Sequence, residues 1–382
     1  MSYILNDELL RFAEDAQPEV MELLEKIGTI PAPSNHEEKR AAFVKAWLEE
    51  QGAEGVYIDD ALNVIYPVNC EGRDDLVIFM AHTDVVFPDT TPLPFSRDDK
   101  YVYNPGCGDD TASLVLMLMV AKYIAQHKLT PKCGILIVAN SGEEGLGNLK
   151  GGRQLLKDFA GRISEVYSFD SALGNMVTRC VGSTRYRVTL RTIGGHSYGK
   201  FGNPNAIQLL SELICRLYSR PVPVVGDSKT TYNVGTISGG TSVNTIAQNA
   251  EMLYEYRSDD RSCLEEMKNR FEGEIKAMQD RGIDVSFEVV GQRPCNGPVD
   301  EEHLARMVEN VGGIIERYVG RKATMGRGST DINTFMAAGI PSICLGNRNG
   351  IGGHTREEKL EIASLPAGLR VTASLMLGYF FD

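Results

Sequence analysis

Residues 76–87 read LVIFMAHTDVVF. The first five are apolar without a break, the pattern of a strand covered on both faces, as in a parallel sheet flanked by helices. At its end stand His82, Thr83 and Asp84. Side chains two apart on a strand share a face, so Asp84 can sit beside His82 and fix the tautomer of a metal-binding imidazole. Open α/β sheets collect their ligand sites at such carboxyl ends.

The same rhythm continues outward from this segment. Upstream, Val20, Leu23, Leu24 and Ile27, then Phe43, Val44, Trp47 and Leu48, recur at helical spacing. Downstream, an apolar helix is expected over 112–125, GILIVA (134–139) reads as a second buried strand, and EVYSFD (165–170) as a third that Asp170 closes. PSICLG (341–346) and a helix near 365–378 return to this first domain. The texture changes between: RYRVTLRT, NPNAIQLLSELICRLY, TYNVGTISGG, AEMLYEYRS, EEMKNRFEGEIKAMQDRG and VSFEVV give β-α-β-β-α-β, a ferredoxin-like α+β order. The expected organisation is an α/β fold with a mixed, mostly parallel sheet, formed by 1–183 and 294–382, and an inserted α+β domain at 184–293.

Composition narrows the function. The 382 residues suit two to three domains at roughly 150 residues each. Lys plus Arg number 39 against 51 Asp plus Glu, a net charge of −12 that repels phosphate backbones and anionic lipid, so neither nucleic acid nor a membrane is an expected partner. Eight cysteines without a C-x-x-C pair suggest no zinc ribbon or disulfide framework. The N-terminal residues lack the basic-then-apolar order of a signal peptide, and the apolar stretch 112–121 is short of the ~18 residues of a membrane span. A cytoplasmic protein is expected.

Four more segments can carry chemistry. PGCGDD (105–110) delivers Asp109 and Asp110 just ahead of the apolar helix; the rival explanation is an N-cap. SGEEG (141–145) follows a strand, and its adjacent glutamates repel each other unless a cation or proton intervenes. A dinucleotide loop is excluded there. The spacing Gly145, Gly147, Gly151 is one residue too long, and Glu143 and Glu144 stand where pyrophosphate needs positive potential. Asp170 and His354, the latter in GIGGHT (350–355), complete a set of nitrogen and oxygen donors without thiolate, which suits Zn²⁺, with Mn²⁺ or Co²⁺ as alternatives. The string GHSYG (195–199) matches a nucleophile elbow, with Asp331 and His354 following in order. That elbow must turn sharply from strand to helix, whereas Gly199, Gly202 and Pro204 postpone the helix.

The succession HTDVV, GCGDD, SGEEG, SFDSALG, GGHSYGKFGNPNAI, GGTSVNTIAQNAE and GGHT resembles the M20 metallopeptidases, and within them the peptidase T-like, tripeptide aminopeptidase-like branch. The resemblance extends from PAPSNHEEKRAAFVKAWLEEQG to the last loop. It implies a zinc-exopeptidase-like catalytic domain with two Zn²⁺ per subunit: His82 and Asp170 on one, Glu144 and His354 on the other, and Asp109 bridging them. It further implies Glu143 as general base, Asp84 orienting His82, and a cis Asp109–Asp110 bond. The insert becomes a lid and dimerisation domain, with His196 reaching the oxyanion, Asn244 and Arg257 approaching substrate, and a homodimer formed through it. The implied activity is amide hydrolysis of short peptides, as a di- or tripeptide aminopeptidase; Asp170, rather than glutamate, favours the peptide-cleaving branches. The alternatives are an amidohydrolase of N-acyl amino acids and a non-catalytic peptide-binding relative. The latter needs a lost ligand or base, and none is lost. A shorter first domain and SGEEGLGNLKGG depart from peptidase T, which bears on substrate length.

Overall fold

The computed structural model describes residues 3–381. The chain forms two compact units, one up to Cys180 and again from Gly297, the other Val181–Asn296.

The first unit is built on an eight-stranded sheet. In spatial order its strands are Tyr57–Ile58, Val64–Val68, Gly134–Asn140, Leu76–His82, Ile163–Ser168, Ser342–Leu345, Asn175–Cys180 and Thr324–Gly328. Leu76–His82 lies at the middle, parallel to both neighbours. Pairing turns antiparallel between Val64–Val68 and Gly134–Asn140 and between Ser342–Leu345 and Asn175–Cys180, so the sheet is mixed. The unbroken apolar run has the expected cause: Val77, Phe79 and Ala81 enter one core with helix Ala112–Gln126, while Leu76, Ile78 and Met80 enter another with Leu155 and Phe335. Helix Ala112–Gln126 is buried nearly all round, which is why its sequence shows no polar stripe. Asp170 lies two residues beyond its strand, which ends at Ser168.

A smaller sheet decides where the C-terminal ligand goes. Ser96–Arg97, Tyr101–Tyr103, Lys359–Glu361 and Gly350–Ile351 pair antiparallel, which brings the hairpin holding His354 beside the turn leading to Asp109.

The second unit is a four-stranded antiparallel sheet in the order Thr230–Gly239, Asn249–Ser258, Gly182–Arg191, Asp284–Arg293. Alternate residues Tyr186, Val188 and Leu190 pack under helices Ala206–Tyr218 and Arg261–Asp280, against Leu210, Leu213, Phe271 and Ile275. The order is ferredoxin-like. The helix after GHSYG starts at Ala206, seven residues past Gly199, so the segment is no strand-to-helix elbow.

Candidate metal centre

His82 ends the central strand with its side chain fully buried. Its Nδ1 lies 3.0 Å from the backbone carbonyl of Asp84 and 3.5 Å from that residue's carboxylate. The carbonyl can only accept, so Nδ1 carries a proton and Nε2 is left as the coordinating nitrogen. The Asp84 carboxylate is engaged elsewhere: it accepts hydrogen bonds from the Ser34 hydroxyl at 2.6 Å and from the backbone N–H groups of Glu143 and Glu144 at 3.0 and 2.9 Å. Asp84 therefore anchors the turn of the paired glutamates as well as lying beside His82.

Asp109 and Asp110 are not an N-cap. Both have non-helical dihedrals within the turn Cys107–Thr111, the bond between them is cis, and helix Ala112–Gln126 starts after them with no side-chain cap. The Asp109 carboxylate faces two imidazoles, with Oδ1 3.2 Å from His82 Nε2 and Oδ2 3.2 Å from His354 Nε2. His354 Nε2 also lies 2.9 Å from a Glu144 oxygen. Its backbone φ of 65° is in the left-handed region, uncommon for a residue with a side chain.

Ligand atoms of His82, Asp109 and Asp170 fall within 4.8 Å of one another, as do those of Asp109, Glu144 and His354, so the two groups share Asp109; His82, Glu143 and Glu144 form a third such group. Electrostatics show what these donors lack. Burial pushes the Asp170 carboxyl well up, reinforced by Asp109 and Asp110, and burial likewise pushes Asp110 up to about 7. Hydrogen bonds to Asp109 and Glu144 raise His354 to about 10. Protons are thus retained among crowded carboxylates, where a divalent cation would do the same work and displace them. With Nδ1 of His82 protonated, the Nε2 lone pair confronts a carboxylate oxygen, a contact that needs a cation or a proton between. The donor set fits two metal ions.

Two contributors escape sequence reasoning. Arg348 is buried, its Nη2 3.4 Å from Asp170 Oδ1 and 3.5 Å from Asp110 Oδ1, a fixed cation among the acids. Glu358 is buried too, and accepts backbone hydrogen bonds from Gly106, Gly108 and Asp109. Both lie in the GNRNGIGGHTREE stretch, where nothing separates them from ordinary surface charges.

The model of Peptidase family M20/M25/M40 matches residues 78–378. The chain belongs to that family. Among curated relatives, this M20 chain is 24% identical over 358 residues to succinyl-diaminopimelate desuccinylase of Corynebacterium glutamicum, covering 90% of this chain and 92% of the relative. Among solved structures it resembles a tripeptidase of Staphylococcus aureus (TM-score 0.74, 22% identity, 94% and 98% of the two chains) and aminopeptidase PepT of Bacillus cereus (TM-score 0.71, 21% identity, 94% and 97%). These two share its fold. No helix among the described residues is long and apolar enough to cross a membrane.

His196, Asn244 and Arg257 belong to the second unit of the M20 chain. His196 pairs with Thr245 in a two-residue ladder, and its Nδ1 accepts the N–H groups of Tyr198 and Gly199 at 3.3 Å, which leaves Nε2–H as a donor on an exposed ring. The Asn244 carbonyl accepts the Ser197 N–H, and its Oδ1 accepts the Ser242 hydroxyl. Arg257 is held by Glu255 through two contacts of 3.0 and 3.1 Å.

Proposed function

We propose that this M20 chain is a metal-dependent exopeptidase of short peptides, acting on di- or tripeptides with a free amino end. The observation that carries the reading is the Asp109 carboxylate between two imidazoles, common to two three-ligand groups. His82 and Asp170 would hold one ion, Glu144 and His354 the other, with Asp109 between; Zn²⁺ suits the nitrogen and oxygen donors. When bound, such ions polarise the scissile carbonyl and make water acidic near neutral pH.

The remaining chemistry falls to the chain's own groups. Glu143 is buried, and its backbone is fixed by Asp84. It takes the proton of the attacking water and passes it to the departing nitrogen, the work of a carboxylate beside the ligands. His196 Nε2–H and the Asn244 amide are donors suited to an oxyanion, and Arg257 to the carboxylate of a peptide. Unit Val181–Asn296 would act as a lid and as the dimer contact. The exposed strand Thr230–Gly239 pairs along one edge among the described residues, an open template for the same strand of a second copy.

The test is a panel of di- and tripeptides, free or blocked at each end, against N-acyl and N-succinyl amino acids, with metal supplied and then chelated. Cleavage of free-amino peptides, lost on chelation and restored by Zn²⁺, is expected. Preference for N-acyl substrates would transfer the chain to deacylation, and turnover indifferent to chelation would remove the metal.

A further inference from the structure

Two ligand-bearing turns are each gathered by a buried carboxylate that is not itself in a ligand group. Asp84 holds the Glu143–Glu144 turn. Glu358 does the same for the turn that carries Asp109: its Oε2 lies 2.7 Å from Gly106 N, and its Oε1 2.8 Å from both Gly108 N and Asp109 N. The contact spans some 250 residues of sequence, and Glu358 lies four residues after His354 in the same loop.

The two loops pack closely at this point. A Cβ on Gly108 would come within 2.8 Å of the Gly350 Cα and 3.0 Å of Glu358 Oε1, so the two loops meet backbone to backbone. Three backbone N–H donors converging on one carboxylate fix its place between the two loops. Moving that carboxylate would therefore move Asp109 relative to His354, and Asp109 is the member that both ligand groups share.

We infer that Glu358 is a positioning residue: it splices the Asp109 turn to the His354 loop and so sets the affinity of the metal pair. This rests on taking these residues as metal ligands, as in the function proposed above. Outer contacts that orient metal ligands typically change affinity 10–100-fold when removed. Glutamine can keep one oxygen on Gly108 and Asp109 but turns an amide donor toward Gly106 N–H, so it should restore part of what alanine loses.

The test compares Glu358→Gln and Glu358→Ala with Val311→Ala, a core truncation on helix Glu301–Val319, which carries none of the proposed ligands. Zinc affinity is measured by competition with a chromophoric chelator, and amide exchange of the 106–109 segment is followed in the metal-free protein. Expected are a fall in affinity of about tenfold or more for alanine, a smaller fall for glutamine, and faster exchange of the segment in both, with Val311→Ala lowering the melting temperature at parental affinity. If the alanine variant does not fold, glutamine decides. Parental affinity in a folded Glu358→Gln with accelerated exchange would reduce Glu358 to a structural role. Failure of the parent protein to bind zinc at all would instead overturn the metal-hydrolase reading beneath it.

Discussion

Asp84→Asn is the substitution whose outcome the geometry fixes most closely. The parental carboxylate accepts three hydrogen bonds, from Ser34 Oγ at 2.6 Å, Glu143 N at 3.0 Å and Glu144 N at 2.9 Å. Asparagine offers one acceptor oxygen in place of two. With that oxygen toward Glu143, its amide faces the Glu144 N–H, donor against donor, while the Ser34 hydroxyl can rotate to accept. One hydrogen bond to a charged group, worth about 1.5–3 kcal/mol, is lost, and a buried N–H is left unpaired. Relief from burying a charge offsets part of this, for a net loss of about 2–3 kcal/mol, or one and a half to two decades in the folding equilibrium. Because His82 Nδ1 lies closest to the Asp84 backbone carbonyl, which the substitution leaves in place, the imidazole should keep its tautomer. Urea unfolding of the metal-free protein gives the stability change, and zinc titration reports on the ligands. A change under about 0.5 kcal/mol would refute the anchoring role. Parental stability with weakened zinc binding would return Asp84 to orienting His82 through its carboxylate.

Glu143→Gln should retain the parental metal content while turnover falls by about 10²–10⁴, and near-normal turnover removes Glu143 as the base. His354→Ala should release one of two ions, read as metal content after gel filtration; two ions held at parental affinity would break the ligand assignment. In the second unit, burial would raise the Glu255 carboxyl, but Arg257 and Arg185 hold it below the ordinary glutamate range. A depressed folded-state pKa gives stability that is complete above the unfolded value of about 4.3 and is lost as pH falls through the folded value. Glu255→Gln should therefore flatten the acid limb of unfolding below about pH 5, and an unchanged limb would show that the pair adds nothing.

What sequence alone conveys depends on whether a residue's partner is nearby in the chain. The strands LVIFM and GILIVA are legible because burial on both faces leaves an uninterrupted apolar run, and the insert because its strands alternate. Helix Asp7–Asp15 is missed: it buries only Leu9 and Ala13 fully, too sparse a stripe to show, although Asn6 caps it in the usual way. The donors His82, Asp109, Glu144, Asp170 and His354 are visible because each ends or follows a strand or sits in a glycine-rich turn. Arg348 and Glu358 are not, since their partners are backbone groups and carboxylates from remote segments. His303, on helix Glu301–Val319, is equally silent in the sequence: it is half-buried, 3.6 Å from Glu165 of a remote strand.

The central sheet also sets the order in which the centre can be assembled during synthesis. Strand Ser342–Leu345 inserts between Ile163–Ser168 and Asn175–Cys180, and the hairpin bearing His354 closes on Tyr101–Tyr103. A nascent chain that has reached Asp170 already holds His82, Asp109, Glu143 and Glu144, yet its sheet still ends at Ile163–Ser168 and His354 has not been made. At roughly 5–20 residues per second, tens of seconds or less separate that stage from the arrival of His354. On the function proposed above, the chain would throughout that interval have its base and four of the five proposed ligands but no complete centre, so hydrolytic competence would be deferred until the last part of the chain has docked.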